Sequence, residues 1–166
     1  MPAFVIYLLS LFVFRPLLTD LARDWEGENI KEFTDIVKKM MILIGALTIA
    51  ACVGAYLLGI PILSLVYGVD LRAYRMELVI IMICGGLNAY VYCLYYVVTV
   101  TGKQIFLLLG YGAGLIFAVF LGSSFVKSLG MLGAALSCTL SFGEVFIVFL
   151  IITSCVVKDR KKKTEV

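Results

Sequence analysis

Histidine is absent from the 166 residues, which excludes imidazole metal sites, Ser-His triads and histidine general bases. Charge is scarce too: Asp, Glu, Lys and Arg make up 15% of the chain, where a soluble domain carries ~25%. The five cysteines, Cys52, Cys84, Cys93, Cys138 and Cys155, never form a CxxC pair. Most lie in apolar runs and read as small hydrophobes between helices, with a disulfide or metal role as the alternative. A secretory leader pattern is also missing, because Met1 to Phe14 is uncharged and Arg15 follows it instead of preceding it. What the chain has in excess is apolar surface: 63% hydrophobic residues and a mean hydropathy of +1.09. That excess calls for lipid as the solvent.

A helix crossing a ~30 Å hydrocarbon core needs about 20 apolar residues at ~1.5 Å each. Residues 40–58, 78–100 and 104–125 reach that length without a formal charge, and residues 129–157 reach it with one interruption, Glu144. Residues 1–18 make a partial first span. The expected fold is all-α: a polytopic transmembrane helix bundle of about five helices over residues 1–157. An amphipathic cytoplasmic connector is expected at 19–39 and a basic cytoplasmic tail at 158–166. Alternating spans put the first connection, the Thr101-Gly102-Lys103-Gln104 turn and the tail on one side, with eleven basic residues against three on the other. The positive-inside rule makes that side the cytoplasm and leaves Met1 outside. A chain that starts outside with a short apolar stub reads as the C-terminal part of a longer one; a small protein with a short first span is the alternative.

The connector carries Leu18, Leu21, Ala22 and Trp25 at helical spacing, opposite Asp20, Arg23 and Asp24. Gly27 breaks the pattern, Asn29 is placed to cap the next helix with Glu32 in capping-box position, and Trp25 is expected to anchor at the headgroups. Gly59-Ile60-Pro61 is expected to end a span, with Pro61 opening a short surface helix through Val66. Two features within the spans bear on function. Glu144, costing roughly 2.5–3.5 kcal/mol at a helix centre, is either a coupling or cavity residue or a neutralised glutamate at a helix contact. Asn88, Tyr92 and Tyr96 share one face of their span, either lining a path for a sugar-bearing substrate or packing with satisfied hydroxyls. Gly110 and Gly114, then Gly130, Gly133 and Ala134, allow close helix approach. The Lys158 to Lys163 run reads as a topology determinant attracted to anionic lipid, not as a nucleic-acid site.

The succession is more telling than any one motif. Phe14-Arg15-Pro16-Leu17-Leu18-Thr19 leads into the Trp25 to Phe33 segment. Leu58-Gly59-Ile60-Pro61-Ile62-Leu63 and Tyr67-Gly68-Val69-Asp70 follow, then a tyrosine-rich span reaching Thr101-Gly102-Lys103-Gln104, then Leu129-Gly130-Met131-Leu132-Gly133-Ala134-Ala135. This order resembles the C-terminal part of bacterial oligosaccharide and polysaccharide flippases of the multidrug/oligosaccharidyl-lipid/polysaccharide exporter superfamily. The resemblance implies most of the second six-helix lobe of such a flippase, set in the bacterial cytoplasmic membrane. It implies a lipid-linked oligosaccharide and membrane lipids as partners, a cation or proton as the candidate coupling ion, and a missing first lobe. It implies Arg15 as a candidate for holding diphosphate, with a positive-inside anchor as its other reading. The candidate cavity residues are thus Arg15, Asn88, Tyr92, Tyr96 and Glu144, with no cofactor, metal or catalytic residue expected. A cation-coupled drug antiporter, a membrane-embedded glycosyltransferase or ligase, and a non-transporting membrane remnant are the competing readings.

Overall fold

Pro61 has no amide hydrogen, and its ring would clash with the carbonyl four residues back, so an unbroken α-helix cannot pass through it. The short helix expected to open at Pro61 is present, with Pro61 in its first turn, but the preceding span does not end before it. In the computed structural model, which describes residues 19–27, 29–68 and 75–164, helix α2 (Ile30–Gly54) widens into a π turn (Ala55–Gly59) and continues directly as α3 (Ile60–Tyr67). The wider ring of the π turn absorbs the proline. The helix ends at Gly68, whose φ of +67° only glycine adopts without strain, and the Gly68 amide donates to the Ser64 carbonyl at 2.9 Å.

Before α2, a short helix α1 (residues 19–26) turns through Gly27. The capping box at Asn29 does not form: Asn29 makes no side-chain cap. Its amide already donates to the Asp24 carbonyl at 2.9 Å, so no amide is left for Glu32 to accept from. Trp25 is not an outward anchor either. It is 9% exposed and buries its ring against Phe33, with centroids 5.0 Å apart. The Arg160 guanidinium stacks on the other side at 4.6 Å and donates to the Trp25 carbonyl at 3.2 Å. Leu21, Val97 and Val156 complete this cluster, which ties α1, α2, the central helix and the tail together at the basic end of the molecule.

The central helix is α4 (Arg75–Val100). One of its faces, Leu78, Met82, Ala89 and Cys93, packs on Met40, Ile44, Ala55 and Ile60 of the first long helix. A second face, Val91, Leu94 and Val98, packs on Leu107, Val145 and Phe149. These last three belong to α5 (Ile105–Thr164), which reverses direction at Gly130, where φ is 58° and ψ is −128°. Its two arms, residues 105–129 and 131–164, pack antiparallel, with Gly110 against Phe149 and Gly114 against Val145. A Cβ at Gly133 would strike the Phe125 carbonyl, so the hairpin closes tightly from its first turn.

Among the described residues, three helical stretches are long and apolar enough to cross a membrane: Ile30–Ile62, Arg75–Val100 and Ile105–Lys162. The third, at 58 residues, would run about 87 Å if straight, several times what one crossing needs; the reversal at Gly130 makes it two. Leu108 and Phe120 are each 75% exposed and Leu65 85%, an apolar exterior that suits lipid and not water. The protein is an all-α, multi-pass membrane protein.

Helices in lipid gain little from hydrophobic burial and associate by close packing, so missing side chains at the seams should govern stability. A Cβ at Gly86 would collide with the Thr48 side chain, whereas one at Gly112 meets nothing within 4 Å. Gly86→Ala is expected to destabilise the purified protein by about 1–3 kcal/mol, read as a lower thermal midpoint by circular dichroism in detergent. Gly112→Ala should leave the midpoint unchanged or raise it, since alanine is the better helix former.

Candidate functional site

Two of α4's faces are taken by its neighbours. The third carries Asn88, Tyr92 and Tyr96, all half-buried. The helical repeat sets them on one stripe; none of the three belongs to the apolar core against α2 or to that against the hairpin, and Tyr92 comes within electrostatic range of Tyr111 on the hairpin. Asn88 makes no hydrogen bond within the described residues. Tyr96 meets Tyr95 edge-on at 5.4 Å, Tyr95 lies 6.5 Å from Tyr111, and Tyr111 meets Phe149 edge-on at 5.1 Å. An aromatic series therefore runs from the stripe across to both arms of α5.

Glu144 sits elsewhere, on the second arm of the hairpin. Its carboxylate oxygen is 3.3 Å from the position a Cβ would take at Gly114. That oxygen is buried and has no hydrogen-bond partner. The hairpin seam, not the α4 stripe, is thus where the carboxylate is held, and Gly114 is what leaves room for it. Arg15 lies outside the described residues.

Between the two arms lies a cavity of about 450 Å³, lined by Tyr111, Gly114, Leu115 and Ala118 on one side and Ser137, Cys138, Ser141, Phe142 and Val145 on the other. Its volume falls in the ~300–1,000 Å³ range of small-molecule sites. The Ser137 hydroxyl donates to the Ala134 carbonyl at 3.0 Å and Ser141 to the Ser137 carbonyl at 2.8 Å. With those donors spent on their own helix, the cavity offers mostly apolar contact. Asn88, Tyr92, Tyr96 and Glu144 do not line it. It adjoins α4 through two contacts, Tyr111 with Tyr95 and the Cys138 sulfur 3.4 Å from that of Cys84. Tyr111, Cys138 and Ser141 escaped the sequence reading. The signal was there in the spacing of Tyr111, Gly114, Leu115 and Ala118 against Ser137, Cys138, Ser141 and Val145, one face of each arm.

Apart from Glu144, fixed charge among the described residues lies toward the ends of the helices. The Arg23–Asp20 pair at 3.4 Å and the Lys38–Asp35 pair at 3.8 Å are both exposed and worth little to stability. Among the described residues no group of three His, Cys, Asp or Glu is placed to hold a metal ion.

Comparison with protein-family models, with curated proteins and with solved structures finds no match to this chain. What the fold and composition establish is a multi-pass helical membrane protein with a polar stripe, a buried carboxylate and an apolar cavity.

Leaving a buried polar atom unpartnered costs about 1–3 kcal/mol, and an apolar side chain of similar shape removes that cost. Glu144→Leu is accordingly expected to raise the thermal midpoint of the purified protein in detergent. A lowered midpoint would show that the carboxylate has a partner holding the hairpin together.

Proposed function

We propose that this chain is part of a membrane transporter that flips polyprenyl-diphosphate-linked oligosaccharide across the bacterial cytoplasmic membrane for cell-surface polysaccharide biosynthesis. On this reading it supplies most of the second six-helix lobe, and a first lobe completes the transport cavity. The reading rests on the succession of segments from Phe14 to Ala135 that resembles those flippases, and on one structural observation that carries it. The central helix carries Asn88, Tyr92 and Tyr96 half-buried on one stripe outside both apolar cores, and Asn88 makes no hydrogen bond among the described residues. Polar groups at membrane depth are costly against lipid and belong against a wet cavity or another helix. A second lobe packed across that face would close a cavity with hydroxyls, ring faces and an amide toward its centre.

Those groups suit a sugar head. Tyrosine offers a ring face to the apolar side of a pyranose and a hydroxyl to its rim, and the amide of Asn88 can donate and accept at once. The prenyl tail stays in lipid, so the cavity has to shelter only the polar part. No bond is made or broken, and the chain acts without catalysis. Arg15, near the basic end of its segment, is the candidate partner for diphosphate. A proton or cation at Glu144 is the candidate coupling step.

A cation-coupled drug antiporter is the second reading, and a specific observation favours it. Glu144 is buried without a partner, beside a mostly apolar cavity of about 450 Å³, as a proton-exchanged site for an apolar cation would be.

Complementation separates the two. A bacterial strain deprived of its own flippase receives the gene together with its upstream frame, or the 166-residue chain alone. The longer form is expected to restore surface polysaccharide, with Asn88→Ala and Tyr92→Ala each lowering the yield at least about tenfold at equal protein level. Rescue by the chain alone would contradict the need for a first lobe. Failure of the longer form, with resistance to cationic drugs gained instead, would favour the antiporter.

A further inference from the structure

At the basic end, a groove of about 590 Å³ runs between α2 and the second arm of α5, with α4 as its floor. Phe33, Val37, Met41 and Ile42 form one wall and Leu150 and Val157 the other, with Leu94 at the bottom. The hydroxyls of Thr34 and Ser154 donate to the Ile30 and Leu150 carbonyls of their own helices, both at 2.8 Å, so the walls offer mostly hydrocarbon contact, the unpartnered Thr153 hydroxyl being the polar exception. Three ammonium groups, Lys38, Lys158 and Lys161, belong to the same groove.

The charge on this rim is largely uncompensated. Lys38 approaches Asp35 at 3.8 Å, an exposed pair. Lys158 and Lys161 form no ion pair among the described residues, and Asp159 between them is not part of the groove. The groove's length is also informative. The apolar wall rises about 10 Å from Leu150 to Val157 on α5 and about 14 Å from Phe33 to Ile42 on α2, most of the ~15 Å half-thickness of a bilayer's hydrocarbon core. An apolar slot of that depth, with Lys158 and Lys161 at the end where the span leaves the hydrocarbon and Lys38 about a turn inside it, matches a single lipid standing upright.

We propose that this groove is a binding site for an anionic glycerophospholipid, its phosphate held by Lys38, Lys158 and Lys161 and an acyl chain lying along Met41, Leu94 and Leu150. Basic pockets between transmembrane helices recognise anionic headgroups by this combination of charge and apolar wall. The site is independent of the transport reading and requires only that the chain crosses the bilayer. It also gives the tail cluster a task beyond topology: Arg160 holds Trp25, while Lys158 and Lys161 on the same turns hold lipid.

The test is native mass spectrometry of the purified full chain, titrated with phosphatidylglycerol or phosphatidylcholine of identical acyl chains. Phosphatidylglycerol is expected to bind at least about tenfold more tightly. The triple variant Lys38→Gln/Lys158→Gln/Lys161→Gln should abolish the preference. Lys31→Gln/Lys103→Gln/Lys127→Gln, with the same change in net charge away from the groove, should keep it. Leu150→Trp, which fills the slot without touching charge, should weaken binding of phosphatidylglycerol. Equal binding of the two lipids, equal loss in both triple variants, or full competition by soluble glycerol phosphate would each overturn the proposal. Circular dichroism on every variant separates loss of the site from loss of the fold.

Discussion

Two helices in lipid come close only where a side chain is missing. Hydrocarbon outside is as apolar as leucine inside, so burial alone does not drive association, and packing contacts decide it. This chain meets that constraint three times between the first long helix and α4 and again within α5. Gly86 receives Thr48, Gly45 lies against the Tyr90 hydroxyl, and Gly59 accepts Leu78, all between the first long helix and α4. Gly110 and Gly114 receive Phe149 and Val145 across the hairpin. Each glycine trades helix propensity for a closer approach. The hydroxyls near these seams are satisfied locally: Thr48 donates to the Ile44 carbonyl at 2.7 Å and Thr139 to the Ala135 carbonyl at 2.8 Å. The bundle therefore needs few polar bonds between helices, and the exceptions are informative.

One exception is Glu144, whose carboxylate oxygen is buried opposite Gly114 without a partner. Another is the α4 stripe. With two of its faces buried in apolar cores, α4 is the strut of the fold, flanked by the hairpin and the first long helix, and Asn88, Tyr92 and Tyr96 lie on its remaining stripe, outside both cores.

Helix class and membrane character were legible in the sequence because both rest on length and composition: uncharged runs long enough to span leave few alternatives. Gly130 reads in the sequence as a point of close approach, but a Cβ there would meet nothing within 4 Å; its backbone makes it the reversal instead. Local chemistry was harder to read where the competing partner lay elsewhere in the chain. Asn29 and Glu32 have the capping-box spacing, but Asp24 takes the amide the box needs. Trp25 has the amphipathic setting of a headgroup anchor, but Phe33 and Arg160 enclose it, and Arg160 is 135 residues away. Pro61 looks like a stop, but a π turn lets the helix continue. Of the site residues, the α4 stripe followed from helical periodicity. The cavity between the arms did not, because it depends on the register set by Gly130.

Everything functional depends on the apolar helices crossing the bilayer in alternating directions, with the α5 hairpin inserted as a pair of spans. Reporter insertions in the turn at Gly102 and at Gly130 address this directly, one active only in the cytoplasm and the other only outside it. The expected result is opposite compartments, with Gly102 in the cytoplasm beside the basic tail. Both sites reporting the same compartment would contradict the alternating path, because α5 would then not cross the membrane between them.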